Sequence, residues 1–322
     1  MGGDRTLVVL SDIHYAGQAE QARGLTEYRV ISNPCLRLLA RAFRHFIWQR
    51  DPFGHNQALR HFLASVGQPD VVVANGDYSC DSAFEGVSDD ACHASVAECL
   101  GLLRQRFTDF HAVLGDHELG KMSLFGARGG PRLASWERLQ NSLGLRPLWQ
   151  ASYGACHLIG VASTVLALPV YEPELLPEEI PAWREIRRQY LAAVQDCFRQ
   201  VPAGRRILLF CHDPTALPFL GQIDAVRQKL AQVEATFIGH LHSPLIYWKS
   251  RLLAGMPVLK FLGNSARRMS TALNQAKYWP PFRVRLCPAL VGIELLKDGG
   301  YYQVQLDASG RQPGVYRRLR LR

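Results

Sequence analysis

Short apolar runs alternate with polar, glycine-containing breaks along most of this chain, and the alternation predicts a layered fold. Residues 7–10, 71–74, 112–114, 158–161, 207–211 and 236–238 are rich in branched aliphatics and read as buried strands. Between them, apolar residues recur at helical spacing over about 34–50, 56–66, 91–106, 131–143, 182–200 and 222–232, with Pro34, Pro131 and Pro181 placed as first-turn prolines. Later runs at 258–262, 290–295 and 301–306 also read as strands. The last two, joined across Lys297-Asp298-Gly299-Gly300, are expected to form a hairpin that closes one side of the sheet. We expect one α/β domain over residues 1–322, since no repeat, linker or low-complexity segment divides it.

Composition narrows the class without choosing a function. A chain of 322 residues that is 48% hydrophobic can bury a large core, and its net charge of +9 suits anionic partners. Four of those charges, Arg317, Arg318, Arg320 and Arg322, fall in a basic tail after the hairpin, in the stretch 288–322. The eight cysteines contain no C-x-x-C pair and several sit in apolar runs, so they read as buried free thiols rather than a disulfide framework. The first apolar run is too short for a signal peptide or a membrane span, which points to the cytoplasm. Met1-Gly2 with Thr6 matches a myristoylation pattern, but Thr6 already opens the first strand and the reading is set aside.

Five short islands carry the chemistry: Asp12-Ile13-His14, Gly76-Asp77, Gly115-Asp116-His117-Glu118, His212-Asp213 and Gly239-His240-Leu241-His242. Each alone reads as a turn with an ordinary surface imidazole. In order they supply carboxylates and imidazoles, most of them just past the carboxyl ends of predicted strands, the edge where open α/β sheets gather ligands. Gly76, Gly115 and Gly239 are expected to let the backbone turn sharply, and an extended backbone at 240–242 would put both imidazoles on one side. Such a set suits two divalent cations. His45, His55, His61, His93, His111 and His157 match no island and read as ordinary histidines, and Glu118 as a residue that flanks or orients His117. Gly115 to Lys121 imitates a phosphate-binding loop, but Met122 stands where a Ser or Thr is needed and acidic residues fill the loop.

The ordered set resembles the calcineurin-like metallophosphoesterase family, whose pattern is D-x-H, G-D, G-N-H-(E/D), H and G-H-x-H. The resemblance implies a two-sheet β-sandwich flanked by helices. It implies that Asp12, His14 and His242 hold a first metal, that Asp77 bridges, and that Asp116, His212 and His240 hold a second, with His117 beside the leaving group. Hydrolysis of a phosphate ester or pyrophosphate by a metal-bridging hydroxide would follow, with Asp77 and His117 as the catalytic pair. Oxygen and imidazole donors without thiolate favour Mn²⁺, with Fe or Zn²⁺ as alternatives. One position departs from the pattern. Asp116 stands where the family has Asn, and a carboxylate can only accept hydrogen bonds where an amide could also donate one to a phosphoryl oxygen. Restoring Asn is therefore expected to keep activity or raise it.

The substrate is read from the segment between the first two islands. About sixty residues separate Asp12 from Asp77, so a helical, cap-like insertion over about 15–69 is expected to overhang the cleft. Within it Leu36, Leu39, Ala40, Phe43, Phe46 and Ile47 share one helical face, while Arg37, Arg41, Arg44 and Trp48 share another. Such a helix either packs on the core or meets an anionic membrane surface or an acyl chain. Arg128 and Arg132, in the loop from Phe125 to Arg132, and the pair Arg267-Arg268 are candidate phosphate contacts. The leading expectation is a cytoplasmic enzyme, peripheral on the inner face of the membrane, acting on a lipid-linked or nucleotide-sugar phosphate. One branch of the resembled family cleaves UDP-2,3-diacylglucosamine in lipid A synthesis. The alternatives are a soluble phosphodiesterase or nuclease, with nucleic acid as partner, and a non-catalytic metal-binding scaffold.

Overall fold

A computed structural model of the chain describes residues 5–24, 27–123, 128–261, 263–307, 309 and 312–321. Met1 and Gly2 of the myristoylation pattern, Phe125 to Ala127 of the arginine-containing loop, Leu262 and Arg322 lie outside the described residues. Among the described residues, ten strands form two five-stranded sheets. The first has the order β10 (Val315–Arg320), β9 (Gly300–Leu306), β1 (Arg5–Leu10), β2 (Val71–Asn75), β3 (Phe110–Val113). The second runs β4 (Leu148–Tyr153), β5 (Cys156–Val161), β6 (Arg206–Cys211), β7 (Val233–Ile238), β8 (Val284–Leu286). β1, β2 and β3 are parallel, as are β5 to β8, while β9, β10 and β4 add antiparallel margins.

The sheets stack on their apolar faces. Leu7, Val9, Val71 and Val73 of the first sheet share a core with Leu158, Leu208, Phe210 and Phe237 of the second. The alternate residues point outward under helices, Val8, Leu10, Val72 and Ala74 packing with Leu59, Phe62, Cys99 and Leu103. Strands covered on both faces read as continuous apolar runs, which is why β1, β2, β6 and β7 stand out in the sequence. Helices Pro34–Phe43, His55–Ser65, Asp90–Arg106, Leu133–Asn141 and Ile180–Gln200 fall where periodicity places them, and Asp224–Lys229 begins the last of these segments. The eight cysteines are free thiols, six of them buried and Cys35 exposed. No helix among the described residues is long and apolar enough to cross a membrane.

Three expectations are corrected. Residues 290–295 form no strand, and the hairpin partner of β9 is β10, so Arg317, Arg318 and Arg320 belong to an edge strand rather than a free tail. Residues 256–260 are irregular. Pro131 precedes its helix, which begins at Leu133 after Arg132.

Candidate metal centre

All five islands lie at the carboxyl ends of parallel strands: Asp12 follows β1, Asp77 follows β2, Asp116 follows β3, His212 follows β6 and His240 follows β7. Backbone hydrogen bonds join the loops. Asp12 N–H donates to the Gly76 carbonyl, and Ile13 and His14 N–H both donate to the Asp77 carbonyl. His117 N–H donates to Asp77 Oδ1 at 3.1 Å, and His240 N–H to Asp12 Oδ1 at 3.0 Å. Left-handed backbone is concentrated here, with φ of 51° at Asp12 and His14, 58° at Asp77 and His242, and 60° at His240. Each such residue costs on the order of 1 kcal/mol, so the surrounding bonds must hold it in place.

This geometry changes two sequence readings. Of the three glycines, only Gly76 is left-handed, at φ +89°. Gly115 and Gly239 are needed for closeness: a Cβ on Gly115 would strike the Asp77 carboxylate, and one on Gly239 would strike Ser11 Oγ and Asp12 Oδ2. Nor is the backbone extended at 240–242. Leu241 N–H donates to the Gly239 carbonyl and Ser243 N–H to the Leu241 carbonyl, each at 2.6 Å, so His240 and His242 each centre a three-residue turn. The two imidazoles consequently enter different groups.

Those groups are Asp12, His14, Asp77 and His242, and Asp77, Asp116, His212 and His240, each with candidate ligand atoms within 4.8 Å of one another. Asp77 is common to both. In the first, His14 Nε2 lies 3.2 Å from His242 Nε2, which lies 3.2 Å from Asp12 Oδ1. In the second, His212 Nε2 lies 3.2 Å from Asp77 Oδ2 and 3.3 Å from Asp116 Oδ1, and His240 Nδ1 lies 3.0 Å from that same Oδ1. The far nitrogens are turned toward backbone carbonyls, His212 Nδ1 toward Asn75 at 2.6 Å and His14 Nδ1 toward Ser79 at 3.3 Å. A proton held at Nδ1 leaves Nε2 free to ligate.

Divalent cations fit this donor set. Asp12, Asp77 and Asp116 are each no more than 1% exposed, and three buried carboxylates in one cluster are costly without a compensating cation. Asp77 Oδ2, Asp116 Oδ2 and His212 Nε2 are buried without a hydrogen-bond partner. Burial, with Asp77 adding to it, pushes the Asp12 carboxyl up to about 6. Burial acts the same way on Asp77, but the adjacent His212 and His117 hold it below the ordinary carboxylate range. His14 and His242 are pushed down by burial and by neighbouring imidazoles, which leaves them neutral. His117 is pushed down to about 4, chiefly by burial.

Five neighbours carry more than their sequence readings gave them. Glu118 binds two of the loops together rather than flanking His117: Oε2 accepts from Asp77 N–H at 3.0 Å and Gly115 N–H at 2.8 Å, and Oε1 from Tyr78 N–H at 2.7 Å. The Trp48 ring packs against His242 at a tilt of 34° with ring centres 4.6 Å apart, and the Gln49 amide nitrogen lies 3.3 Å from His242 Nδ1. Lys121 Nζ lies 3.4 Å from Asp116 Oδ2. Its signal in the sequence is a lysine five residues after the acidic departure from the family pattern. His55, read as ordinary, is buried with its ring 6.1 Å from that of His14.

The candidate phosphate contacts are placed less directly. Arg132 donates to the carbonyls of Gly129, Gly130 and Pro131 in its own loop, and Arg268 holds Glu174 through both carboxylate oxygens at 2.9 and 2.7 Å. Arg128 and Arg267 are exposed.

A dimetal phosphatase from Danio rerio shares the fold, with a TM-score of 0.53 at 13% identity, covering 98% of this chain and 96% of that one. A phosphopantetheinyl hydrolase from Mycobacterium tuberculosis matches with a TM-score of 0.40 at 15% identity, over 76% of this chain and 85% of its own. No curated protein matches the chain in sequence. The model of the calcineurin-like phosphoesterases matches residues 5–244. With the five islands in order at the ends of two stacked sheets and that match over most of its length, the chain belongs to the calcineurin-like phosphoesterase family.

Proposed function

We propose that this phosphoesterase hydrolyses an ester or pyrophosphate whose leaving portion is apolar, taken from an anionic lipid surface. In this reading Asp12, His14, Asp77 and His242 hold one divalent cation, and Asp77, Asp116, His212 and His240 hold the other. Two such cations, Mn²⁺ first by donor type and Fe or Zn²⁺ otherwise, supply positive charge for the phosphoryl oxygens and a water-derived nucleophile at neutral pH. Asp77, shared and fully buried, sets the spacing of the two groups. His117, whose Nε2 lies 3.8 Å from Asp77 Oδ2, is the group we place beside the leaving oxygen, with that nitrogen as the atom through which a proton passes. The overhanging segment 15–69 acts as the cap.

The observation that supports an apolar leaving portion is the helix Pro34–Phe43 with the π-helical turn Arg44–Trp48 that continues it. Apart from buried Ala40 and half-buried Trp48, its apolar residues are not taken up by the core. Leu38 is 68% exposed, Leu39 64%, Phe43 43% and Phe46 64%. Leu295 and Leu296 extend the patch, tied to it by Leu295 N–H donating to the Ile47 carbonyl. The same segment ends at the candidate metal centre, where the Trp48 ring packs against His242. From Tyr28 to Arg50 the chain carries five arginines and no carboxylate, which complements an anionic bilayer.

Vesicles of phosphatidylcholine with phosphatidylglycerol should therefore recruit the protein, and recruitment should fall as salt rises. Replacing Arg37, Arg41 and Arg44 with Gln should weaken binding on the order of 100-fold at low salt, at about 1 kcal/mol per cation near the surface. Equal partitioning of wild type and variant, with faster turnover of a cyclic nucleotide than of any acylated phosphate, would favour a soluble phosphodiesterase instead.

A further inference from the structure

Asp116 turns its two oxygens toward different neighbours. Oδ1 lies inside the second ligand group, 3.0 Å from His240 Nδ1 and 3.3 Å from His212 Nε2. Oδ2 faces Lys121, whose Nζ is 3.4 Å away and also 3.3 Å from His117 Nε2. Residues five apart do not ordinarily meet on a helix. They meet here because the helix Asp116–Leu119 stops after one turn at Gly120, whose φ of +112° suits only glycine, and Lys121 N–H is caught by buried Asp81 Oδ2 at 3.2 Å.

An ammonium has three N–H donors and no acceptor. His117 Nε2 takes one of them at 3.3 Å, while Asp116 Oδ2, 3.4 Å away and without a hydrogen bond of its own, holds the ammonium by charge. The remaining donors are left over, and the lysine side chain is still 26% exposed, which leaves room for an external oxygen. An asparagine at 116 would ligate through its oxygen and present NH₂ where Oδ2 now stands. The carboxylate cannot donate from that position, but it anchors a cation that can.

Resting on the dinuclear reading above, we propose that Asp116 and Lys121 act as one unit in place of an asparagine: Oδ1 ligates metal, Oδ2 positions Lys121, and the ammonium binds a phosphoryl oxygen of substrate and product. The charge that the Asp116 departure adds to the site is therefore countered within the site. Restoring Asn alone should not help, because it sets two donor groups against each other and frees the lysine.

The test uses inorganic phosphate as the probe, titrated calorimetrically into metal-loaded protein, with metals per chain measured on each sample. Lys121→Met should keep both metals and bind phosphate about tenfold more weakly, the scale of one charge-assisted hydrogen bond. Asp116→Asn alone should also bind phosphate more weakly than wild type. The double variant Asp116→Asn with Lys121→Met strands no charge and supplies the amide donor, so its affinity should return to within about threefold of wild type, a coupling that independent sites do not show. Unchanged phosphate affinity in fully metallated Lys121→Met overturns the proposal, and so does a double variant no better than Lys121→Met. Wild-type protein that takes up no metal would overturn the dinuclear reading itself, and this proposal with it.

Discussion

Asp77→Ala is expected to remove the second metal and the activity together. Its carboxylate belongs to both ligand groups, and its Oδ2 is buried with no hydrogen-bond partner among the described residues, 3.2 Å from His212 Nε2. Without it, four imidazoles and two aspartates must hold two cations that nothing bridges. Metal content should fall from about two per chain to one or fewer. Turnover should fall by at least about 10³-fold, since removing a single donor to developing charge already costs about that much. His117→Ala is the contrast. His117 belongs to neither group, so both metals should stay while turnover drops by about 10²- to 10⁴-fold, the range for loss of a group positioned for proton transfer. Elemental analysis after desalting, paired with single-turnover hydrolysis, separates the two. An Asp77→Ala protein that keeps two tightly bound ions would show that the bridge has been assigned to the wrong residue.

The second large effect falls on stability. Glu118 is fully buried and takes the N–H groups of Asp77, Tyr78 and Gly115, two of which flank ligand positions. Glu118→Ala strands all three donors, at about 1–3 kcal/mol for each buried group left unpaired. A loss on the order of 4 kcal/mol is expected, visible as a lower denaturant midpoint at unchanged slope. Glu118→Gln should lose less, because its one oxygen still serves one or two of the donors, but its NH₂ must face another. Metal affinity should fall in both variants, since the Asp77 and Gly115 loops lose their common acceptor. Denaturation of Glu118→Ala within 1 kcal/mol of wild type would mean that water or a shifted loop replaces the carboxylate.

How far the sequence carried each of these conclusions follows from burial. β1, β2, β6 and β7 were legible because both of their faces are covered, which leaves no polar alternation to blur the run. β4, β8 and β10 were missed for the opposite reason. They are margins, β4 with Gln150 and Ser152 turned outward, β8 only three residues long, and β10 carrying three arginines. The run at 290–295 misled because its apolar residues serve a loop: Asp298 Oδ1 accepts Ile293 N–H, and Leu290 N–H donates to Ser11 next to the metal centre. The seven candidate ligands were visible because each follows a strand in a short motif. The Glu118 contacts were not, since three backbone donors from two distant loops leave no side-chain pattern to read. Lys121 stood inside a motif that was dismissed as a false phosphate loop. The exposed face of the helix Pro34–Phe43 could not be told from a core-facing one, because periodicity reports that a face is apolar and not what covers it.

The arginines of β10 have a consequence outside catalysis. β10 ends the first sheet, pairing with β9 on one side, and among the described residues no strand pairs with its other margin of N–H and C=O groups, a template for another strand. A second molecule adding a strand there would extend the sheet from chain to chain. Arg317 and Arg320 are exposed on that strand, and a copy approaching in register would bring like charges into contact before the hydrogen bonds could form. The basic end of this sequence thereby serves colloidal stability, keeping separate molecules from joining edge to edge.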